Sequence, residues 1–201
     1  MSFARDDAWQ RGLRDRVIVP FYQERTRGRF VLLDGPGLAR ELQRQHGVDA
    51  LLQASDGRAI GIEEKLVRWP ARGHAYTAFA LETASNINAG RKRDGWMKTS
   101  SADYLLYGFE QPDGTVDAYL IDFPALRRWF KPLEETFATF ETPSTPDSPN
   151  RSAGRVVPIA DVMQHVTAWK IELGREAQAP AANGYRKFDA AAYGQEWTGR
   201  I

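Results

Sequence analysis

The sequence predicts an α/β fold, with a central mixed β-sheet flanked by helices, and three observations lead to it. Helical periodicity opens the chain and returns from Phe123 onward. Between them, residues 48 to 119 break into short runs rich in branched and aromatic residues, separated by turn-forming residues. Finally, 201 residues with 42% hydrophobic and 11% aromatic content can bury one substantial core.

The elements follow in order. Trp9, Leu13, Val17 and Phe21 recur at spacing four, which predicts an amphipathic helix that Pro20 ends at about Val19. LARELQRQ predicts a second helix, stopped at His46-Gly47 because glycine readily takes the left-handed conformation that closes helices. VDALLQA, AIGIEEKLVRW, YTAFALETA, DYLLYGF and VDAYLIDF read as strands. Ser55-Asp56-Gly57 and Pro112-Asp113-Gly114 suit tight turns, so two antiparallel hairpins are expected. NINAGRKRDGWMKTSSA is a polar loop entering a short helix near Trp96, and FPALRRWFKPL is helical with Phe123, Leu126 and Phe130 on one side.

The expected organisation is one domain over residues 1 to 140, a proline- and serine-rich linker or loop over 141 to 154, and a C-terminal helical extension and tail over 155 to 201 packed on that domain. In the extension, Ile159, Val162, Val166 and Trp169 are its expected buried residues. No run approaches the roughly 18 uncharged apolar residues of a membrane span, and the N-terminus lacks the apolar run of a signal peptide, so no membrane association and a cytoplasmic location are expected. The chain has no cysteine and three histidines, which excludes disulfides and thiolate zinc sites and leaves oxygen as the main donor for any metal. A net charge of +1 gives no global attraction to nucleic acid, but basic residues cluster at Arg25, Arg27 and Arg29, at Arg91, Lys92 and Arg93, and at Arg127, Arg128 and Lys131. Solvated faces account for such clusters equally well.

The chemistry is concentrated in the second strand. Alternation sets Gly61, Glu63, Lys65 and Val67 on one face, with Ile62, Glu64 and Leu66 on the other. Buried charges are costly unless paired or bound to a metal, so two acids and a lysine inside an apolar strand mark a candidate site. A three-residue loop at Ser55 to Gly57, with Gly57 left-handed, pairs Ala54 with Arg58 and sets Asp49 opposite Glu63. A two-residue Asp56-Gly57 turn sets Glu64 there instead, and a bulge would change the count again. The first register is preferred because it also brings Lys65 to the shared face. Opposed residues lie about 4.5 to 5.5 Å apart, close enough for two carboxylates to hold one cation. A short loop over Ala71 to His74 would place Glu82 opposite Glu63 as a further acid.

This constellation suits phosphodiester hydrolysis with Mg²⁺ or Mn²⁺. Asp49, Glu63 and the main-chain carbonyl of Glu64 are the expected metal ligands with Glu82 joining them, and Lys65 positions the attacking water or neutralises developing charge. The expected catalytic group is therefore Asp49, Glu63, Lys65 and Glu82. A base role for Lys65 would need a lowered pKa, which neighbouring carboxylates oppose. GVDALLQ, GIEEKLVRW, FALETAS and GWMKTSSADYLLY, over roughly residues 38 to 122, resemble the PD-(D/E)XK nuclease superfamily, especially small phage and prophage-type members. The resemblance implies a restriction-endonuclease-like αβββαβ core, divalent-metal dependence and DNA cleavage. Asp49 matches the first acid, Glu63 the D/E position and Lys65 the lysine. Glu64 stands where the family usually has an apolar residue, and Val48 where it often has proline.

Arg91, Lys92, Arg93 and Lys98 are candidate contacts to the nucleic-acid backbone. A surface salt-bridge ladder is the plain alternative for the strand charges, and solvated loop for Lys98. Glu41 is an outside candidate on its helix, and Trp96, Trp129 and Trp169 are expected to be core. DGPG lacks the Lys-Ser/Thr of a phosphate loop, and no Gly-x-Ser-x-Gly elbow occurs. The rival functions are a nuclease-fold binding module without turnover and a structural or inhibitory protein using residues 180 to 201 as an arm. Strandedness, mode of cutting and oligomeric state, a homodimer included, are open from sequence.

Overall fold

A computed structural model describes residues 3–33, 38–69, 75–88, 93–142 and 151–174. The chain is mixed α/β, built on a six-stranded mixed sheet flanked by helices and on a second sheet of four strands. The first helix, α1 (Phe3–Leu13), does not stop at Pro20. It runs through a π-helical turn (Arg14–Ile18) into α2 (Val19–Thr26). The reason is local: the Val19 N–H reaches back to the Arg14 carbonyl, which offsets the ladder just before the proline. Pro20 therefore falls in the first turn of α2, where a missing donor costs little.

After β1 (Phe30–Leu32), α3 (Leu38–His46) ends at Gly47, which takes φ +58°. Strands β2 (Ala50–Gln53) and β3 (Ala59–Val67) form the first expected hairpin. Ala54 donates to the Arg58 carbonyl over 2.9 Å and Gly57 takes φ +90°, so the turn is the three-residue loop. β4 (Ala78–Asn86), β5 (Arg93–Asp94) and α4 (Trp96–Thr99) come next, followed by the second hairpin of β6 (Tyr104–Glu110) and β7 (Val116–Asp122). Helix α5 (Phe123–Phe130) begins where the Asp122 carboxylate accepts from the Ala125 N–H, and it buries Phe123, Leu126 and Phe130 as expected.

Two further expectations are corrected. β4 is not the neighbour of β3: β6 pairs with β3 in parallel, Glu63 opposite Leu105 and Lys65 opposite Tyr107. β4 lies in the second sheet, between β5 and β9 (Ala153–Pro158), with β8 (Ala138–Glu141) outside β9. The apolar face of β4 explains this placement, because Phe79 and Leu81 are fully buried and Phe79 packs against Tyr107, Phe109 and Tyr119. Alternation in sequence gives the face a strand buries, not the strand it sits beside.

The described part of the expected helical extension, residues 155 to 174, is also not purely helical, and residues 175 to 201 lie outside the described residues. Residues 153 to 173 are strand β9, a short helix α6 (Ile159–His165) and strand β10 (Ala168–Leu173), which pairs with β7 and closes the first sheet. Val162 and Val166 are buried, while Ile159 and Trp169 are half-buried. From Ala168 the chain turns to period two, Ile171 and Leu173 inward and Glu172 outward. The proposed linker shrinks accordingly, with β8 reaching Glu141 and β9 beginning at Ala153. The arm from Pro180 lies outside the described residues.

The first sheet has a core on each face. On one, Leu13, Val17, Ile18 and Tyr22 of the N-terminal helices cover Ala50, Ile60, Ile62 and Leu106. On the other, Leu105, Tyr107, Phe109 and Ile121 meet Phe79, Leu81 and Val157 of the second sheet together with α5 and α6. Among the described residues no helix is long and apolar enough to cross a membrane.

Candidate active site

The candidate residues gather where β2 begins and where the middle of β3, within the first sheet, sets Glu63 and Lys65 on the face that meets the second sheet. The pairing of Ala50 with Ile62 is the register that the three-residue loop demands. Asp49 lies just before β2, and its N–H also donates to the Ile62 carbonyl over 2.7 Å. Asp49 and Ala50 thus both face Ile62, a bulge-like step that turns the Asp49 side chain along the edge of β3. There its Oδ2 accepts from the Glu64 N–H at 2.7 Å and its Oδ1 from Gln43 Nε2 at 2.5 Å. The Asp49 carbonyl accepts from Leu33 N–H (2.8 Å) and Arg14 Nη2 (2.9 Å). Every polar group of Asp49 is held.

Glu63 is only 3% exposed. Its Oε1 forms an ion pair with Lys65 Nζ, and its Oε2 is buried without a hydrogen-bond partner. Ser100 stands close to this carboxylate, but its hydroxyl gives its proton to the Gly47 carbonyl at 2.7 Å. Burial pushes the Glu63 carboxyl up to about 7; the Lys65 ammonium opposes that rise and the Asp49 charge adds to it. Gly47 is required here for two reasons, since a Cβ on it would come within 2.8 Å of Ser100 Cβ and 3.2 Å of Glu63 Oε2.

The Lys65 side chain is 30% exposed, and its Nζ lies 5.3 Å from the centre of the Trp96 ring. Burial by itself lowers its pKa, but Glu63, Asp49 and the more distant Glu82 outweigh that, and the net shift is upward. Glu82 reaches this group from the second sheet, not from the strand beside Glu63. It sits opposite Gly154 at an irregularity in β4, half-buried, with its carboxyl raised by burial while bonding to Ser152, the Lys65 charge and the Trp96 backbone pull it down. Lys98 pairs with Asp94 (3.4 Å), and the Arg68 guanidinium lies over the Trp9 ring.

Glu64 points to the other face, into the core under the N-terminal helices. Its Oε2 lies 2.9 Å from Arg14 Nε, and its Oε1 accepts from Tyr22 Oη at 2.9 Å and Arg14 Nη2 at 3.3 Å. Its side chain is thus absent from the face shared by Glu63 and Lys65, and its carboxyl is raised by burial to about 7, against the pull of Arg14. In a strand the N–H and C=O of one residue point to the same side, so the Glu64 carbonyl faces the edge where its N–H meets Asp49.

The sequence did not point to Gln43, Arg14 or Tyr22, whereas Ser100 stands with Lys98 after Trp96, where a helix start and a cation would suit a phosphate. Of the candidate backbone contacts, Arg91 and Lys92 lie outside the described residues, Arg93 is exposed on β5, and Lys98 is exposed on α4. Arg127 holds the end of α4 by donating to the Ser100 and Lys98 carbonyls at 2.7 and 2.9 Å. Glu41 accepts from Gln45 on its own helix. Trp96, Trp129 and Trp169 are each half-buried against the cores. Among the described residues, no three histidine or acidic side chains are already gathered at metal-binding distance. No protein-family model, curated protein or solved structure compared with the chain matches it.

Proposed function

We propose that the chain is a Mg²⁺- or Mn²⁺-dependent nuclease that hydrolyses phosphodiester bonds of DNA in the cytoplasm. The observation that carries this reading is Glu63: a buried carboxylate with one oxygen on a lysine and the other on nothing, beside a second carboxylate that is fully oriented. An orphaned acid at this depth is costly unless a cation completes it.

The donor set fits a hard divalent ion. Glu63 Oε2, Asp49 and the main-chain carbonyl of Glu64 would hold it, all oxygen, with the remaining positions left to water. Once bound, the ion supplies Lewis-acid polarisation of a phosphoryl oxygen. Lys65 does the rest of the electrostatic work. Its raised pKa keeps it protonated, so it orients the attacking water and stabilises charge developing on phosphorus, and it is not the base. Glu82 supports that state from across the site. The αβββαβ order of a restriction-endonuclease-like core can be followed through α1 and α2, the antiparallel strands β1 to β3, α4 and the parallel β6, with α3 inserted between β1 and β2 and with β4 and β5 of the second sheet inserted before α4.

A second reading, a nucleic-acid-binding module without turnover, draws on a different observation. Both Asp49 oxygens already accept hydrogen bonds, and no three acidic or histidine side chains converge among the described residues. One assay separates the two: plasmid and single-stranded DNA incubated with Mg²⁺, Mn²⁺ or EDTA, beside Lys65→Ala. The nuclease reading expects metal-dependent cleavage that the substitution lowers at least ~100-fold. Binding without cleavage in any metal selects the module.

A further inference from the structure

Beside α4 lies a cleft of about 440 Å³ that the chemistry at Glu63 does not use. Its rim carries Lys98, Arg127 and Lys131 against a single acid, Glu134, and its floor is formed by Met97 and Phe130. Lys98 is paired with Asp94, so Arg127 and Lys131 against Glu134 leave an excess of one positive charge over an apolar floor. Arg127 is fixed by the carbonyls of Ser100 and Lys98, so its guanidinium is presented in one orientation. Lys131 is exposed and, among the described residues, has no hydrogen-bond or ion-pair partner.

The cleft is joined to the candidate site at three points. Met97 and Lys98 follow Trp96, whose ring meets Lys65. Thr83, in the cleft wall, follows Glu82. Arg127 bonds the carbonyl of Ser100, whose hydroxyl stands beside Glu63. A polyanion leaving the acid-lysine centre along α4 meets these cations next.

We propose that this cleft binds the phosphates of a nucleic-acid strand flanking the bond to be cut, with Lys131 making a direct phosphate contact. The proposal rests on the nuclease reading for the direction of the strand. Flexible cations around a fixed arginine suit phosphates spaced along a backbone, and an apolar floor suits the sugars between them.

The test is fluorescence anisotropy of a labelled single-stranded DNA, titrated with the full chain in EDTA over a range of salt. Lys131→Ala is compared with Arg128→Ala, which removes an equal charge from an exposed position outside the cleft. Lys131→Ala should weaken binding on the order of tenfold at ~50 mM salt and lower the slope of log affinity against log salt by about one, whereas Arg128→Ala changes neither. Lys131→Arg should restore both. Equal effects of the two alanine variants, or no effect of Lys131→Ala, overturn the cleft. Poly-glutamate competing as well per charge as unlabelled DNA overturns it in favour of an acidic peptide. The two readings fail separately: DNA bound through Lys131 but never cut in Mg²⁺ or Mn²⁺ leaves the cleft standing and removes the nuclease, and cutting unaffected by Lys131→Ala does the reverse.

Discussion

Arg14 and Glu64 form an ion pair beneath the candidate site, Nε to Oε2 at 2.9 Å, with both side chains under 10% exposed. The same guanidinium donates to the Asp49 carbonyl, so a π-helical turn of the N-terminal helix braces the first acid just before β2. Removing one partner leaves an uncompensated buried charge, and Arg14→Ala should cost about 3 to 5 kcal/mol in urea denaturation. The double change Arg14→Met with Glu64→Leu replaces the pair by apolar groups of similar bulk and should restore most of that stability. A double variant as unstable as Arg14→Ala would mean the pair itself, not its completeness, holds this face of the sheet.

The raised carboxyls give stability an unusual pH dependence. Glu63 and Glu64 titrate near 4.5 when unfolded and are pushed up to about 7 in the fold. The folded state therefore binds these protons more tightly, and the resulting stability is fully present below about pH 4.5 and is lost as pH rises through about 7. Other carboxyls contribute in the opposite sense, Asp56 among them, because Arg58 lowers it. The quantity to measure is thus the difference between the chain and Glu63→Gln. Melting temperatures in EDTA from pH 4 to 8.5 should show the parent losing stability relative to the variant between about pH 5 and 7. A constant difference across that range would contradict a raised Glu63.

Much of this site was legible in the strand pattern, and what was hidden followed from long-range contacts. Ser55-Asp56-Gly57 set the hairpin loop, and the loop set the β2 to β3 register, because a positive φ at Gly57 leaves few alternatives. Local chemistry could not place β4, whose partner is decided by the burial of Phe79 against aromatic residues of β6 and β7. The crossover that makes β6 parallel to β3 is decided likewise. Strand β10 was hidden because the apolar residues before it fit period 3.6 through α6 to Val166 and turn to period two only afterwards. Arg14 does carry a sequence signal: it falls at i, i+3 and i+4 spacing with Val17 and Ile18 on the buried helix face, while Glu64 is a surplus acid in a buried strand. Two misplaced charges of opposite sign point to each other.

Gly47→Ala tests how tightly the end of α3 is fitted to the acids. Alanine at φ +58° is strained, and its Cβ would meet Ser100 Cβ at 2.8 Å and Cα at 2.9 Å. Backbone at Ser100 cannot rotate away, so the loss should exceed ~1 kcal/mol and reach about 3. Chemical denaturation reads it directly. The displaced Ser100 should also slow any metal-dependent cleavage, whereas Gly57→Ala, with nothing within 4 Å of its Cβ, carries only the strain of φ +90° and leaves cleavage unchanged.

Asp49→Asn separates a ligand from a fold-stabilising acceptor. Both Asp49 oxygens accept N–H donors, Gln43 on one side and Glu64 on the other, so an amide must turn its own NH₂ toward one of them. One hydrogen bond is lost and a donor is left facing a donor, which should cost about 1 to 3 kcal/mol without metal. Pairing Asp49→Asn with Gln43→Glu gives the amide an acceptor in place of that donor and should recover part of the loss. Metal binding responds differently. If Asp49 holds the ion, Mn²⁺ should raise the melting temperature of the parent, as any ligand of the native state does, and leave both variants unmoved. Recovery of stability in the double variant without recovery of the Mn²⁺ shift assigns Asp49 a ligand role beyond its hydrogen bonds. An undiminished Mn²⁺ shift in both variants would place the ion elsewhere.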